Sequence, residues 1–362
     1  MRAAVYPYDF EFMSALKHRD MLDNIEIGFV ISPKGFGLQG KDAYYLGNEA
    51  AGITVNSIND ESFNEMDTLI ITESLMKIPE EDRFNEIGII ISNVNTAIDL
   101  TYDKGIHSQL EDICKKNKVQ YINGFELLPD NRKINLEMVG VPTERNKIVT
   151  PIIAICGISP MTQKFDVQMY FRDRLMKDGY KVSQIGTKEI SYLFGFQAWD
   201  DALYDNSYSE TEKIGRINQY IKDIEAVERP DVFVIGVPDA LIPYTHKHTF
   251  RYGIPAYEIF SAVTPDFVVM TLSNGEYTDE FYGEMQNMCK YRYNSDIDCF
   301  YNSHFVPISL SINAEKLVYS HGEKMTPKSD NTSVFNPDSL YTDELYRFTL
   351  SRLEKYGEFK SY

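Results

Sequence analysis

The sequence predicts an α/β fold in two successive domains, and three observations predict it. The 362 residues exceed one typical domain and suffice for two, each with its own core. Short apolar runs alternate with amphipathic stretches, the pattern of parallel strands joined by helices. Between the two series, residues 129–149 (PDNRKINLEMVGVPTERNKIV) break the rhythm with polar residues and two prolines, marking a crossing between domains.

In the first domain, residues 1–128, the candidate strands are Ala3–Tyr6, Ile25–Ile31, Ile53–Asn56, Thr68–Thr72, Ile87–Ser92 and Val119–Ile122. Phe12, Met13, Leu16 and Leu22 recur near helical spacing between the first two, with Asp9 as the helix cap. A second helix over His107–Asn117 places Ile106, Leu110 and Ile113 on one side. Strands separated by helices describe a Rossmann-like, doubly wound sheet.

The second domain spans residues 150–322. Pro151–Cys156 reads as a strand, a loop opens at Gly157, and a helix runs from about Gln163 to Asp178, stopping before Gly179. Lys181–Ile185, Asp231–Val237 and Phe267–Leu272 are further strands. Ser209 and Glu212 form a capping box for a long helix whose stripe is Ile214, Ile217, Ile221 and Ile224. Residues 323–362 hold a polar stretch, Glu323–Asn336, and a last helix capped by Thr342 with Tyr346, Leu350 and Leu353 on one face.

The stretch PIIAICGISPMTQKFDVQMYF carries the chemistry. A glycine follows a buried strand, and a lysine stands at the start of a helix, whose first turn offers unpaired N–H groups and the positive end of its dipole to a phosphate. Gly157 and Lys164 fit the longer spacing of a P-loop, with Gln163 in place of its second glycine. The domain is therefore read as a degenerate P-loop NTPase-like α/β domain. Phe165 stands where a Ser or Thr hydroxyl would bind magnesium, leaving Asp166 as the candidate replacement. The strand DVFVIG ends without an acid, and the first carboxylate beyond it is Asp239. ATP with magnesium is the cofactor this pattern suggests, gripped by Gly157, Gln163, Lys164 and Asp166.

Other constellations are weaker. GFGLQG (Gly35, Gly37, Gly40) matches a dinucleotide fingerprint but follows the second strand, not the first, and reads as a loop at the sheet rim. Lys41 and Asp42 after it, and Asp9 after the first strand, are candidate substrate contacts. In PYTHKHTFRYG, His248 and Arg251 are candidates to hold an anionic substrate. His246 and Asp239 are the candidate catalytic groups, suited to proton transfer and to metal or charge. No third ligand joins the HxH pair, so no metal site is expected. Cys299 and His304 are five apart, yet Cys299 in its β-like run reads as a buried small hydrophobe.

Net charge of −18, with no run of lysines and arginines, excludes a general nucleic-acid or anionic-membrane binder. Four scattered cysteines without a CxxC pair indicate neither structural zinc nor a disulfide framework. No apolar run approaches a membrane span and MRAAVYPYDF lacks a signal-peptide core, so the expected location is the cytoplasm.

The strings YPYDFEF, SPKGFGLQGKDA, MTQKFDVQ, GYKVSQIGTK, IGVPDALIPY and KYRYNSDIDCF, spread over residues 6–300, resemble the clostridial peptide maturation-system proteins. That resemblance implies an accessory role in maturing a ribosomally synthesised, post-translationally modified peptide. It implies the precursor peptide and a radical S-adenosylmethionine maturase as partners; a second copy of the chain is a further candidate. The architecture is also similar to two-domain Rossmann and P-loop proteins related to dethiobiotin synthetase. Lys164 carries over from that group, whereas its Thr, second glycine and strand-end acid do not. The alternative function is an ATP-dependent ligase or kinase acting on a peptide or small carboxylate.

Overall fold

The computed structural model describes residues 1–358 apart from 46–49, 59–62, 64, 200, 315–316, 324 and 326–328. Parts of the expected polar stretch 323–336, and the end of the last expected segment at 359–362, thus lie outside the described residues. In chain order come β1 (Arg2–Tyr6), α1 (Phe10–Lys17), β2 (Glu26–Ile31), β3 (Val55–Asn56), β4 (Thr68–Thr72), α2 (Glu80–Ile91), β5 (Thr96–Leu100), α3 (Lys104–Asn117) and β6 (Gln120–Asn123). There follow β7 (Ile152–Gly157), α4 (Lys164–Lys177), β8 (Val182–Gly186), β9 (Gln197–Ala198), α5 (Glu210–Glu228), β10 (Val232–Gly236), α6 (Ile254–Ala262) and β11 (Phe267–Leu272). The last elements are α7 (Asp279–Tyr293), β12 (Cys299–Asn302), β13 (Phe305–Pro307), β14 (Tyr319–His321), β15 (Val334–Phe335) and α8 (Glu344–Glu358).

The chain divides into two compact units, residues 1–133 with 188–201, and residues 134–187 with 202–362. Residues 188–201, read from sequence as part of the second series, group with the first unit for a packing reason. The Tyr192 ring meets Phe125 edge-on at 5.8 Å, and Leu128 and Ala198 close the same apolar cluster.

The sheet of the first unit has the order β3-β2-β1-β4-β5-β6, with every pair parallel. This is the Rossmann order, whose crevice opens where the order reverses, between β1 and β4. Asp9 caps α1 as expected, accepting the Glu11 N–H. One expected strand is corrected: Ile87–Ser92 is the end of helix α2, and the strand is Thr96–Leu100. Glu80, Glu81 and Asp82 crowd the start of α2, complementing its dipole. Ile87, Ile90 and Ile91 then fall on the buried face while Ile89 stays 59% exposed. A short apolar run fits either period until its flanks are weighed.

The second unit contains the parallel order β15-β12-β11-β7-β10-β8. β7 is thus central, between β10 and β11. Ile153, Ile155, Val234 and Val269 pack against Val167, Phe171 and Leu175 of α4 and Leu345 and Tyr346 of α8. The Ser209–Glu212 capping box forms, and α5 buries Ile217, Ile221 and Ile224 with Ile214 half-buried. Thr342 supports the start of α8 by accepting the Glu344 N–H at 3.4 Å. Helices α6 and α7 are not among the elements read from the sequence, although Ala256, Ile259 and Phe260 of α6 and Tyr282, Cys289 and Tyr293 of α7 form their buried faces. Residues 250–253 enter α6 through successive left-handed conformations, with φ of 45°, 53°, 56° and 73°.

Candidate functional site

Strand β7 ends on Gly157 for a steric reason. A Cβ there would lie 2.7 Å from Thr162 Oγ1 and 3.0 Å from the Ser159 carbonyl oxygen, so only glycine lets the loop fold back. Thr162 donates to the Ser159 carbonyl at 3.1 Å and shares a 2.6 Å hydrogen bond with Thr271 of β11. Ser159 and Ser273 hydroxyls meet at 3.1 Å. These buried bonds fix the curl of the loop.

Gln163 occupies the left-handed region, φ 61°, where a P-loop carries glycine. Its side chain offsets the strain. Nε2 donates to Asp166 Oδ2 at 3.0 Å, and Oε1 accepts the His304 N–H at 2.8 Å. Helix α4 starts at the next residue, Lys164. The backbone N–H groups of Ser159, Met161 and Gln163 find no acceptor among the described residues. The loop therefore keeps the donors and the helix end that an anion needs.

Lys164 is only 9% exposed. Its Nζ donates to the Val237 carbonyl at 3.1 Å and to the Asp239 carbonyl, both just beyond β10. Asp239 is itself left-handed at φ 56°, and its buried Oδ2 has no hydrogen-bond partner. Burial raises its pKa, against the pull of Lys164 and Arg251. Gly236 at the end of β10 stands against Gln168 of α4, where a Cβ would come within 2.7 Å of the amide carbon. The strand-end acid of an active P-loop domain is thus replaced by close packing.

Magnesium does not fit these donors. Phe165 offers no oxygen, and Asp166, the expected replacement, is 3% exposed with its carboxylate turned to Gln163 in its own first turn. Among the described residues no group of three or more His, Cys, Asp and Glu is placed to hold a metal ion.

The loop histidines separate. His248 is buried, stacks on Phe250 at 6.3 Å and leaves Nε2 unpartnered. His246 is exposed, and no hydrogen bond to it is found among the described residues. Arg251 is exposed, with its guanidinium 4.1 Å above the Tyr204 ring. Cys299 is fully buried in β12, as its sequence context suggested.

In the first unit the three expected substrate contacts have structural partners. Asp42 accepts the N–H groups of Tyr44, Ala51 and Gly52. Lys41 lies 5.7 Å from the Tyr45 ring centre. Asp9, 4% exposed, pairs with Lys77 at 2.5 Å. Sequence reasoning missed the groups around Asp9. Lys77 also meets Glu11 at 2.6 Å, and Lys188 donates to both Glu11 and Glu73. Burial raises the Glu73 carboxyl to about 7, Lys188 opposing the rise and Glu11 adding to it. Three carboxylates thus stand at the crevice end of β1 and β4, where a dinucleotide would bring its phosphates. No spacing in the sequence signals this cluster, because its members come from three distant segments.

No helix among the described residues is long and apolar enough to cross a membrane. No family model and no curated protein matches the chain, so neither comparison supports the expected kinship with peptide maturation proteins. Among solved structures it is similar to a DUF1611 family protein from Anabaena variabilis, at 12% identity and a TM-score of 0.53, over 83% of this chain and 87% of that one. A nucleotide-binding protein from Archaeoglobus fulgidus in complex with ADP matches at 17% identity and a TM-score of 0.31, over 58% of this chain and 92% of that one. A GTPase from Pyrococcus abyssi matches at 15% and 0.29, over 43% and 68%. These last two overlays are too loose to argue from. The DUF1611 protein shares the fold alone: the chain is a two-domain α/β protein with a Rossmann-order sheet followed by a degenerate P-loop NTPase-like domain.

Proposed function

We propose that the loop Gly157–Lys164 binds the phosphate chain of a nucleotide, and that the chain is an accessory protein of ribosomal peptide maturation that holds precursor peptide or maturase. The observation that carries the first half is the set of unpaired N–H groups at Ser159, Met161 and Gln163, beside the helix start and the Lys164 ammonium. The second half is supported by the sequence resemblance and by exposed tyrosines at 244, 252, 257 and 291, residues of the kind that anchor peptides.

Binding requires Lys164 to exchange the Val237 and Asp239 carbonyls for phosphate oxygens. The ligand is held without magnesium, because Phe165 offers no oxygen at the usual Ser or Thr position and Asp166 is buried with Oδ2 accepting from Gln163. The test is the unfolding temperature with ATP and with tripolyphosphate, each with and without magnesium, since a ligand of the folded state stabilises by mass action. Both ligands should raise it with no need for the metal, and Lys164→Ala should remove the rise. No rise at millimolar concentrations of either would sink the reading. For the second half, a synthetic cysteine-rich precursor peptide should bind the wild type and lose affinity on Tyr252→Ser with Tyr291→Ser; equal binding would discard it.

One observation favours the ligase or kinase reading. The unpartnered Oδ2 of Asp239 lies beside Lys164, where a carboxylate could meet a phosphate-bound cation. That reading requires magnesium for binding and release of phosphate when peptide or carboxylate is added.

A further inference from the structure

Two stretches of the second unit, residues 240–257 and 285–293, contain no Asp or Glu, although 54 of the 362 residues are acidic. Between them they carry Lys247, Arg251, Lys290 and Arg292, all four exposed. The fold joins the stretches into one face. The Arg292 guanidinium donates to the Tyr252 carbonyl, and the Tyr293 hydroxyl donates to the Leu241 carbonyl at 2.6 Å. Tyr252, Tyr257 and Tyr291 add exposed rings to this cationic face.

The charges of the face are unspent. None of its four cations forms an ion pair among the described residues, whereas Lys77, Lys133 and Lys222 each hold a carboxylate. Arg251 lies 4.1 Å above the Tyr204 ring and makes no hydrogen bond among the described residues, so its planar fork is positioned with its N–H groups available. Asp239 and Glu258 attract Arg251 without pairing with it, and Glu258 is only 1% exposed. Guanidinium and ammonium groups beside tyrosine rings complement carboxylates that alternate with apolar side chains. A net charge of −18 repels a long polyanion, whereas a short peptide meets the cationic face alone. We infer that this face holds an acidic peptide segment, its carboxylates on Arg251 and Lys290 and its apolar side chains against Tyr252 and Tyr291. The inference rests on the proposed peptide-holding role and deepens it by naming the chemistry of the ligand.

The experiment measures, by fluorescence anisotropy on the full chain, the Kd of two labelled synthetic peptides. One alternates Asp or Glu with Leu or Phe; the other has Asn and Gln in place of the acids. The acidic peptide should bind about tenfold tighter, and added salt should erase the difference. Arg251→Glu with Lys290→Glu, its fold checked by circular dichroism, should abolish the preference. Should that variant not fold, the two peptides and the salt series on the wild-type chain decide alone. Equal affinities, both weakened by Tyr252→Ser with Tyr291→Ser, overturn the acidic ligand while the peptide-holding reading stands. The same holds if neither peptide binds but the cysteine-rich precursor does; if the precursor also fails, both fall. A single-stranded oligonucleotide that displaces the acidic peptide at equal concentration, or a dimer of the chain that Arg251→Glu with Lys290→Glu splits, gives the face another occupant and overturns the inference.

Discussion

Gln163 holds His304 through a 2.8 Å hydrogen bond from the His304 backbone N–H to its own side-chain carbonyl, while its backbone sits in a left-handed conformation. One residue thus does what glycine does in a P-loop and adds a tie to the end of β12. Gln163→Ala keeps the Cβ in that conformation and removes both side-chain bonds, so it should cost about 1–2 kcal/mol. Gln163→Gly loses the same bonds but relieves backbone strain of about 1 kcal/mol, and should be the milder change. Urea denaturation of both variants checks the order; a glycine variant weaker than the alanine one would refute it.

Gly236 and Gln168 make a second coupled pair. A Cβ on residue 236 would press on the buried Gln168 amide, so Gly236→Ala should destabilise by roughly 1–3 kcal/mol. Adding Gln168→Ala should recover part of that loss, because the clash disappears. Strict additivity in the double variant would show that the contact is not the cause.

The crevice cluster of the first unit should give stability an unusual pH profile. The Glu73 carboxyl binds its proton more tightly when folded, so its contribution is full below about pH 4.5 and is lost as the pH rises through about 7. Glu11 behaves oppositely. Against the cost of burial, Lys188 and Lys77 hold its pKa low, and its contribution is present above about 4.5 and lost in acid. Glu73→Gln should therefore gain stability relative to the wild type between pH 5 and 7.5, by about 1 kcal/mol after allowance for solvent screening. Unfolding temperatures across that range decide it; parallel curves for the two proteins would count against the cluster.

Asp42 closes its loop with three accepted N–H groups. Burial works against its charge, but the amides of Ala51, Tyr44 and Gly52 outweigh it and hold the pKa low. Asp42→Ala should lose about 1 kcal/mol at neutral pH. The difference from wild type should shrink as acid protonates the carboxylate. Protection of the amides of Tyr44 and Ala51 against hydrogen exchange should fall in the same variant.

What the sequence by itself determined was local. Ser209 and Glu212 named a helix start, Phe267–Leu272 named a strand, and the Gly157–Lys164 spacing named a strand, loop and helix, because each depends on residues within one or two turns of chain. The isoleucine run at 87–91 failed as a strand because periods of 2 and 3.6 both fit so short a segment. Only the tertiary structure decided what the site offers. It set Gln163 against His304, tied Lys164 to the carbonyls just beyond β10, and left Asn302 with an unpartnered acceptor. Those relationships join residues 73 to 141 positions apart or depend on which buried donors are already spent. No spacing along the chain records either.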